Sequence, residues 1–521
     1  MWKKIGALLL TIPLLLTALP LTHQPASAAT FNNPVLYADV PDSDVIRVGN
    51  AFYMTSTTMH MNPGVPVMKS YDLVNWSIVN YVYDTLGNGD VQNLNNGQNE
   101  YGRGSWASSL RYNNGTYYVA FGSLSTGRTY IYQTNNIETG PWTPYTLNSY
   151  YHDPSLLFDG NRTFLVHGSD NISIVELTPD AKAVKSGGLN QVLIPNASNI
   201  AGSNMIVKAE GAHIQKINGM YYVFLIAWPA GDGRIQLAYR ANTLTGPYTG
   251  KVVLRDSGIA QGGIVDTASG AWYGMLFRDS GAIGRIPYLV PVTWSDNWPV
   301  FGVNGKVPMT MNLPVDGQPT TKIYGSDEFN AASGSSGLSK FWQWNHNPDA
   351  SKWSLSQRPG FLRITTGKLS KNILEARNTL TQRTIGPKST GITALETAGM
   401  KDGDYAGLAA FQAKYGFVGV KMNGNNKSIV MINAGSGTMT EVASVPLNQN
   451  KVYLRVICDF TNQTDKAYFA YSLNGTNWTT IGNTLQMSYT LPHFMGYRFA
   501  LFNYATKSTG GYADFDFFRI E

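Results

Sequence analysis

Cysteine is almost absent from this 521-residue chain, which holds only Cys458. A single cysteine excludes an intramolecular disulfide and a cysteine-based metal site. Cys458 ends the alternating segment 454–458, which is typical of a strand, and we interpret it as a small buried apolar residue. A fold without disulfides has to be stabilised by large packed sheets.

Charged residues are scarce as well. They make up 14% of the chain, whereas aromatic residues reach 12% and glycines number 53. Helices favour the charged residues that are few here, while aromatic and β-branched residues suit strands. The composition therefore predicts an all-β protein with very little helix. The chain is too long for one ordinary hydrophobic core, so we expect two domains.

The excess of positive charge is modest, and it does not indicate a nucleic-acid partner. The formal net charge is +6, and the lysines and arginines are scattered rather than clustered. The apolar run 5–21 follows two lysines, is interrupted by prolines and precedes a small-residue cleavage site at 26–28. This order predicts a signal peptide over residues 1–28. We expect a secreted protein without a membrane anchor once the signal is cleaved.

A repeated unit dominates the first three hundred residues: an apolar strand, a Gly or Asn turn, and a second strand that begins with aromatic residues. Its five aromatic anchors are Tyr53, Tyr117, Phe164, Tyr221 and Trp272. Their spacing is close to the length of a four-stranded propeller blade. The repeats therefore predict a five-bladed β-propeller over 30–307, and its closure leaves no open sheet edges.

Eleven residues before each anchor lies a position that we expect at the start of the innermost strand of each blade, facing the central channel. These five positions are Asp42, Trp106, Asp153, Glu210 and Gln261. None of them is an aliphatic residue. Three acids, an indole and an amide indicate a polar site with an aromatic floor.

Such a set can hydrolyse a glycoside, which requires one carboxylic acid and one carboxylate on opposite sides of the sugar. Asp42 and Glu210 belong to non-adjacent blades, and a separation across the channel leaves room for a water, which favours inversion. A nearby Asp153 would raise the pKa of Glu210 by like-charge repulsion. Asp39 and Asp44 remain alternatives to Asp42 as the base.

The pattern changes after residue 307. Residues 308–325 are rich in Pro and Thr and predict a linker, and 326–521 contains about a dozen alternating segments typical of a β-sandwich of jelly-roll or concanavalin-like type. We find no catalytic constellation there. Trp342 and Trp344 could bind sugar, but core packing is the more common use of such residues.

Four segments resemble glycoside hydrolase family 43. The segment 40–49 (VPDSDVIRVG) is similar to the one that carries the general base, 153–156 (DPSL) to that of the pKa-modulating Asp, 210–213 (EGAH) to that of the general acid, and 284–285 (GR) to the Gly-Arg pair. The resemblance implies a five-bladed inverting enzyme. It assigns Asp42 as base, Glu210 as acid, Asp153 as modulator and Arg285 as the group that positions the acid.

Two departures from the family pattern bear on these assignments. Ser43 stands where many relatives have Pro, which keeps Asp44 open as a base. Segment 260–263 (AQGG) replaces a histidine that is sometimes associated with calcium in the family. No cofactor is required by this resemblance, and a structural calcium near the propeller axis is left open.

The C-terminal region resembles the sandwich of the xylosidase and arabinofuranosidase branches. This implies an exo-acting hydrolase that releases xylose or arabinofuranose from the non-reducing ends of xylan, arabinoxylan or arabinan fragments. We expect Trp106, Gln261 and the loop with Met59 and His60 to bind the sugar. An endo-arabinanase, a galactan-cleaving hydrolase and a non-catalytic carbohydrate-binding propeller remain alternatives. The sequence does not predict the oligomeric state.

Overall fold

The computed structural model describes residues 1–2, 29–315, 322–330 and 337–521. Residues 3–28 of the predicted signal peptide and residues 316–321 of the predicted linker lie outside these residues. Within them the regular structure is almost entirely β, with one short α-helix, α1 (Asp90–Asn93), and 3-10 turns at Gly281–Ile283, Ala350–Lys352, Ile373–Glu375 and Thr461–Gln463. The all-β prediction is confirmed. None of the described helices has the length and apolar character needed to cross a membrane.

Five antiparallel four-stranded sheets follow one another along the first half of the chain, and this confirms the five-bladed propeller. A short strand, β1 (Thr30–Asn32), precedes them. Blade 1 comprises β2 (Asp44–Val48), β3 (Ala51–Thr55), β5 (Gly64–Ser70) and β6 (Ser77–Tyr83), with β4 (Met61–Asn62) lying outside the blade; blade 2 comprises β7 (Ser105–Asn113), β8 (Thr116–Ser123), β9 (Arg128–Thr134) and β10 (Thr143–Leu147).

The other three blades have the same arrangement. Blade 3 comprises β11 (Ser155–Asp159), β12 (Arg162–His167), β13 (Ile172–Leu177) and β14 (Asn190–Ile194); blade 4 comprises β15 (Met205–Ile217), β16 (Met220–Pro229), β17 (Ile235–Ala241) and β18 (Thr249–Leu254); blade 5 comprises β19 (Ile264–Asp266), β20 (Trp272–Asp279), β21 (Arg285–Ser295) and β22 (Trp298–Phe301). A further strand, β23 (Thr310–Asn312), pairs with β1.

The repeated aromatic residues pack between neighbouring blades. The rings of Tyr53 and Tyr117 meet edge to face with centroids 5.8 Å apart across blades 1 and 2. Phe164 and Tyr221 lie in one buried cluster that joins blades 3 and 4. Burying a side chain such as Phe164 contributes roughly 2–3 kcal/mol. The anchors therefore hold the blades against each other, which fixes the positions of the innermost strands.

Polar side chains tie the innermost strands together across the channel. Arg111 on β7 donates to Asp44 Oδ2 (2.6 Å), Ser155 Oγ (3.0 Å) and the carbonyl of Ile214 (3.2 Å). These partners belong to blades 1, 3 and 4, so one guanidinium links four blades. Arg47 closes the ring through its ion pair with Asp266, at 2.6 Å, between blades 1 and 5.

The second half of the chain forms a sandwich of two antiparallel sheets. Its strands are β24 (Gln343–Asn345), β25 (Trp353–Ser354), β26 (Leu362–Thr365), β27 (Leu380–Arg383), β28 (Lys388–Glu396), β29 (Asp404–Phe411), β30 (Gly416–Asn423), β31 (Asn426–Asn433), β32 (Thr440–Pro446), β33 (Lys451–Asp459), β34 (Lys466–Ser472), β35 (Thr479–Thr480), β36 (Leu485–Gln486), β37 (Arg498–Ala505) and β38 (Tyr512–Ile520). One sheet has the order β32-β31-β30-β29-β37-β27-β24-β4, and the other β25-β26-β38-β28-β33-β34-β35 with β36 paired to β34.

Alternation of side chains accounts for the core between these sheets. On β33, every second residue from Val452 to Cys458 is buried. Trp342 and Trp344 are buried in the same core, so the packing interpretation holds and neither ring is offered to a sugar. Burial also raises the pKa of the Cys458 thiol.

The propeller contributes a strand to the sandwich. Residues of β4 pair with β24, Asn62 opposite Trp344 and Met61 opposite Asn345. A second contact is made by Asp39, whose Oδ2 accepts from the backbone N–H of Gly496 at 3.0 Å. The two domains are thus joined by backbone pairing, and a sandwich loop comes close to the propeller axis.

Candidate active site

All five predicted axial residues occupy irregular points of the innermost strands. Asp42 and Asp153 lie just before β2 and β11 with φ of 53° and 45°, and Gln261 precedes β19 with φ of 62°. Trp106 and Glu210 instead lie where the pairing of β7 and β15 shifts register. Left-handed residues and β-bulges redirect side chains and are frequent beside active sites. We infer that these irregular points redirect the five side chains out of the regular alternation of their strands.

Contacts connect these residues around the ring. The Trp106 ring lies 5.8 Å from the ring of His152, which bonds to Glu210. A Cβ placed on Gly211 would come within 2.8 Å of Gln261 Cδ, so the Gln261 amide packs against the residue after Glu210. The structure therefore brings Gln261 beside the candidate acid.

Asp42 is buried and bound by Arg285. The Arg285 Nη1 donates to Asp42 Oδ1 at 2.9 Å and to Oδ2 at 3.0 Å. Burial raises the pKa of Asp42, and Arg285 opposes that rise. The family resemblance implies that Arg285 positions the acid, but the side-chain hydrogen bonds of Arg285 go to the candidate base. The correction follows from topology, because β21 begins beside the segment 39–42, to which Asp39 Oδ1 also fixes the Arg285 backbone N–H at 2.8 Å.

The two alternative bases are fully engaged in structural contacts. Asp44 accepts from Arg111 at 2.6 Å and from the backbone N–H of Leu110 at 2.9 Å, and it lies 3.2 Å from His213 Nδ1. Burial alone would raise the pKa of Asp44, but Arg111 and His213 lower it to about 2. Asp39 binds backbone N–H groups of blade 5 and the sandwich. Both carboxylates are therefore held by contacts that join blades or domains, whereas Asp42 is bound by Arg285 alone among the described side chains.

Glu210 and Asp153 share a histidine that sequence reasoning gave no role. His152 Nε2 lies 3.0 Å from Glu210 Oε2 and 3.4 Å from Asp153 Oδ2. Its Nδ1 lies 3.0 Å from the Tyr150 hydroxyl. The available signal was its position: His152 is the titratable residue that directly precedes an axial acid.

The charges of this group shift its pKa values strongly. Burial raises the pKa of Asp153, as do Glu210 and Asp42, while His152 opposes the rise; the result is about 6. Burial would lower the pKa of His152, but Asp153 and Glu210 raise it to about 9. At neutral pH the site therefore holds an imidazolium between two acids.

An aromatic residue of the sandwich completes the pocket. Phe494, in the segment between β36 and β37, stacks on Trp106 with centroids 5.5 Å apart, and the Arg285 guanidinium lies 4.7 Å from its ring. Phe494 could not be predicted from the blade repeat, because it lies in the other domain.

Two predicted sugar contacts are wrong. Met59 and His60 are 1% and 0% exposed, and both lie at the domain interface. His60 Nδ1 accepts from the Gly102 N–H at 3.2 Å, and its ring packs on Tyr101, His346 and His493. The loop turns toward the sandwich because β4 pairs with β24, so these side chains support the pocket wall from behind.

A structural calcium near the axis stays a prediction. Among the described residues, the one group of three or more side chains that could converge on a metal ion is His152, Asp153 and Glu210. Calcium takes six to eight oxygen ligands. A histidine nitrogen and two carboxylates that already bond to that histidine fit calcium poorly, so no step proposed below uses a metal.

Comparisons with protein families cover both domains. The profile of glycosyl hydrolases family 43 matches residues 31–299, and that of the beta xylosidase C-terminal concanavalin A-like domain matches 326–521. The chain is 29% identical to a beta-xylosidase of Formosa agariphila over 94% of this chain and 90% of that protein. It is also 29% identical to a non-reducing end alpha-L-arabinofuranosidase of Bacteroides ovatus, over 67% of this chain and 68% of that protein.

Solved structures resemble both domains together. The bifunctional GH43-CE protein of Bacteroides eggerthii has a TM-score of 0.91 and 54% identity over 95% of this chain, which spans 64% of that longer protein. An engineered family 43 glycoside hydrolase that displays both endo-xylanase and exo-arabinofuranosidase activity has a TM-score of 0.84 and 31% identity, over 95% of this chain and all of that one.

Proposed function

Because this chain belongs to glycoside hydrolase family 43, we propose that it removes xylose or arabinofuranose from non-reducing ends of hemicellulose fragments with inversion at the anomeric carbon. The observation that carries the proposal is that two carboxylates of the site have different partners: Asp42 is bound by Arg285, and Glu210 by His152. Glycoside hydrolysis needs one carboxylate and one carboxylic acid. The guanidinium favours the ionised form of Asp42, which suits a base, and we assign the role of proton donor to Glu210.

In the proposed reaction Asp42 accepts a proton from a water as that water attacks the anomeric carbon. Glu210 gives its proton to the glycosidic oxygen as the bond breaks. We assign Asp153, which shares the His152 contact with Glu210, as the modulator of the acid. Trp106 offers an aromatic face to the C–H side of the terminal sugar.

Exo-action is proposed on the presence of a sandwich residue at the site. Phe494 stacks on Trp106 and lies beside the Arg285 guanidinium. We propose that this ring blocks one side of the site, so that only a terminal sugar fits. The relatives from Formosa agariphila and Bacteroides ovatus are named as a beta-xylosidase and an alpha-L-arabinofuranosidase, which agrees with these two sugars.

The test is an assay of the mature protein on aryl xylosides, aryl arabinofuranosides and the matching oligosaccharides. Asp42→Asn and Glu210→Gln should each lose about a thousandfold or more in kcat/KM on oligosaccharides, and Asp180→Asn, on an exposed turn of blade 3, should match the wild type. Turnover that persists in both site variants would refute the assignment. Absence of turnover together with sugar binding would favour a carbohydrate-binding propeller.

Product analysis separates the remaining alternatives. Proton NMR of the first-formed sugar should show the inverted anomer, and a retained anomer would contradict the proposed roles. An exo-enzyme releases only monosaccharide, whereas arabino- or galacto-oligosaccharide products would identify an endo-acting hydrolase.

Export is part of the proposal, and its basis is the leader sequence 1–28. Expression of the full-length chain in a secreting host should yield extracellular protein whose first residue follows Ala28. Protein that stays in the cells with its leader intact would contradict it.

A further inference from the structure

His152 occupies a central place among the candidate catalytic groups. Its side chain is 25% exposed, and its Nε2 contacts both Glu210 Oε2 (3.0 Å) and Asp153 Oδ2 (3.4 Å). The Tyr150 hydroxyl lies 3.0 Å from Nδ1. Both ring nitrogens are therefore engaged, and the orientation of the imidazole is fixed.

The groups that face this imidazole come from three blades. Asp153 and Tyr150 flank it in sequence, Glu210 reaches it from β15, and Asp42 acts on it from blade 1. The charge of His152 also acts on His167, which lies on β12. Three carboxyl groups and one neighbouring histidine surround the ring, and burial raises the pKa of the Tyr150 phenol, so Tyr150 stays neutral.

The contact decides which oxygen of Glu210 carries the acid proton. A protonated imidazole donates its Nε2–H, so Glu210 Oε2 acts as an acceptor. A carboxylic acid whose Oε2 accepts this bond carries its own proton on Oε1. That oxygen is then free to face a glycosidic oxygen in the pocket.

We propose that His152 is a positioning residue for the general acid Glu210. The His152 side chain holds Glu210 Oε2, so that the proton on Oε1 is directed at the leaving group. This inference rests on the proposed function. When Glu210 gives its proton to the glycosidic oxygen, a carboxylate forms, and the Nε2–H of His152 stabilises it. The water that attacks the sugar loses its proton to Asp42, so protons balance over the step.

Leaving-group dependence tests this role. A dinitrophenolate leaves without a proton, whereas a sugar or alkyl alcohol needs one. His152→Phe should lower kcat/KM about a hundredfold on xylo- or arabino-oligosaccharides and less than about threefold on the dinitrophenyl glycoside. His152→Gln, which keeps an N–H donor, should recover part of the loss. Equal losses on all leaving groups, or none, would overturn the proposal.

His167→Gln is the matched control. His167 is another histidine of blade 3, and its ring packs on Tyr151 at 4.6 Å rather than on an axial acid. This variant should keep the wild-type dependence on the leaving group. A steeper dependence in His167→Gln would show that any loss of a blade 3 histidine has the effect and would refute a specific role for His152.

A second measurement does not need turnover. In ¹⁵N-histidine NMR, the His152 resonance, assigned by its loss in His152→Gln, should titrate at lower pH in Glu210→Gln than in the wild type, by about one unit. An unchanged titration would overturn the contact even if the wild type proves active. If the wild type hydrolyses no glycoside, the proposed function fails, and this titration still decides whether His152 is coupled to Glu210.

Discussion

The pairing of Arg285 with Asp42 predicts how the pH profile depends on that arginine. Asp42 must be ionised to act as the base, and Arg285 holds its pKa down against the effect of burial. Arg285→Met should raise the pKa of Asp42 and move the acidic limb of kcat/KM to higher pH. Arg285→Lys keeps a positive charge and should show a smaller shift. An acidic limb that stays in place in Arg285→Met would contradict the pairing.

Asp44 should affect stability rather than chemistry. Its pKa of about 2 in the folded protein lies below the unfolded value, so its contribution is present above about pH 4 and is lost as the pH falls through 2. Asp44→Asn leaves the half-buried Arg111 without its ion-pair partner, and this should cost about 3 kcal/mol of unfolding free energy at pH 7. Urea denaturation at pH 7 and pH 3 measures the difference in unfolding free energy between the wild type and the variant.

The difference in unfolding free energy between the wild type and Asp44→Asn should be smaller at pH 3 than at pH 7. Folded Asp44→Asn should still give the wild-type product anomer. A variant that folds normally but loses all turnover would show that Asp44, not Asp42, is the base.

Single residues divide sharply in how well the sequence predicts them. The shared offset of eleven residues located Asp42, Asp153 and Glu210, because equivalent places in a repeat are equivalent in space. The partner of Arg285 and the role of His152 depend on side-chain directions, which a short motif does not encode. The prediction that His60 binds sugar was wrong for the same reason, since its loop could turn either toward the channel or toward the sandwich.

At the level of elements, the segment between β36 and β37 carries a side chain into the active site. Phe494→Ala removes the ring that stacks on Trp106. We expect KM for the oligosaccharide to rise about tenfold with a smaller change in kcat. The reason is that an aromatic pocket wall binds the substrate equally well in the ground state and in the transition state. Leu491→Ala, at a 73% exposed position of the same segment, is the control and should leave both constants unchanged.

The opposite result would be equally clear. If Phe494→Ala leaves KM unchanged, the sandwich supports the propeller without forming part of the sugar pocket.

The blades themselves were predictable from their turns and aromatic anchors. Strand β4 was not, because Asn62 and Trp344 are far apart in sequence and only the docked domains bring them together.

On the scale of the whole molecule, the two domains meet over a cluster of buried imidazoles next to the active site. The rings of His346 and His493 lie 5.0 Å and 4.9 Å from that of His60. His493 precedes Phe494, and the Gly102 that donates to His60 also accepts from Trp106 Nε1 at 3.1 Å. The packing of this cluster therefore positions both aromatic walls of the pocket, which no single-domain pattern could reveal.

This cluster predicts that the docked structure loses stability in acid. Burial lowers the pKa of His60 and His346 well below the usual value and that of His493 to about 3; Arg498 lowers His493 and His60 further, and Lys368 lowers His346. Below about pH 6.5 the unfolded chain binds protons that the folded protein excludes. The unfolding free energy should therefore fall as the pH drops from about 6.5, by about 1.4 kcal/mol per pH unit for each histidine.

His493→Phe isolates one of these protons. Neither nitrogen of His493 has a hydrogen-bond partner among the described residues, so phenylalanine removes the titration without breaking a bond. Urea denaturation between pH 4.5 and 8 should give a slope below pH 6 that is smaller than the wild-type slope by about 1.4 kcal/mol per pH unit, with equal slopes above pH 7.5. Since the same ring precedes Phe494, the variant should also keep its KM for oligosaccharide nearer to the neutral value at pH 5. Identical acid slopes in the two proteins would mean that His493 is protonated in both the folded and the unfolded state over this range. The acid sensitivity of the interface would then come from other groups.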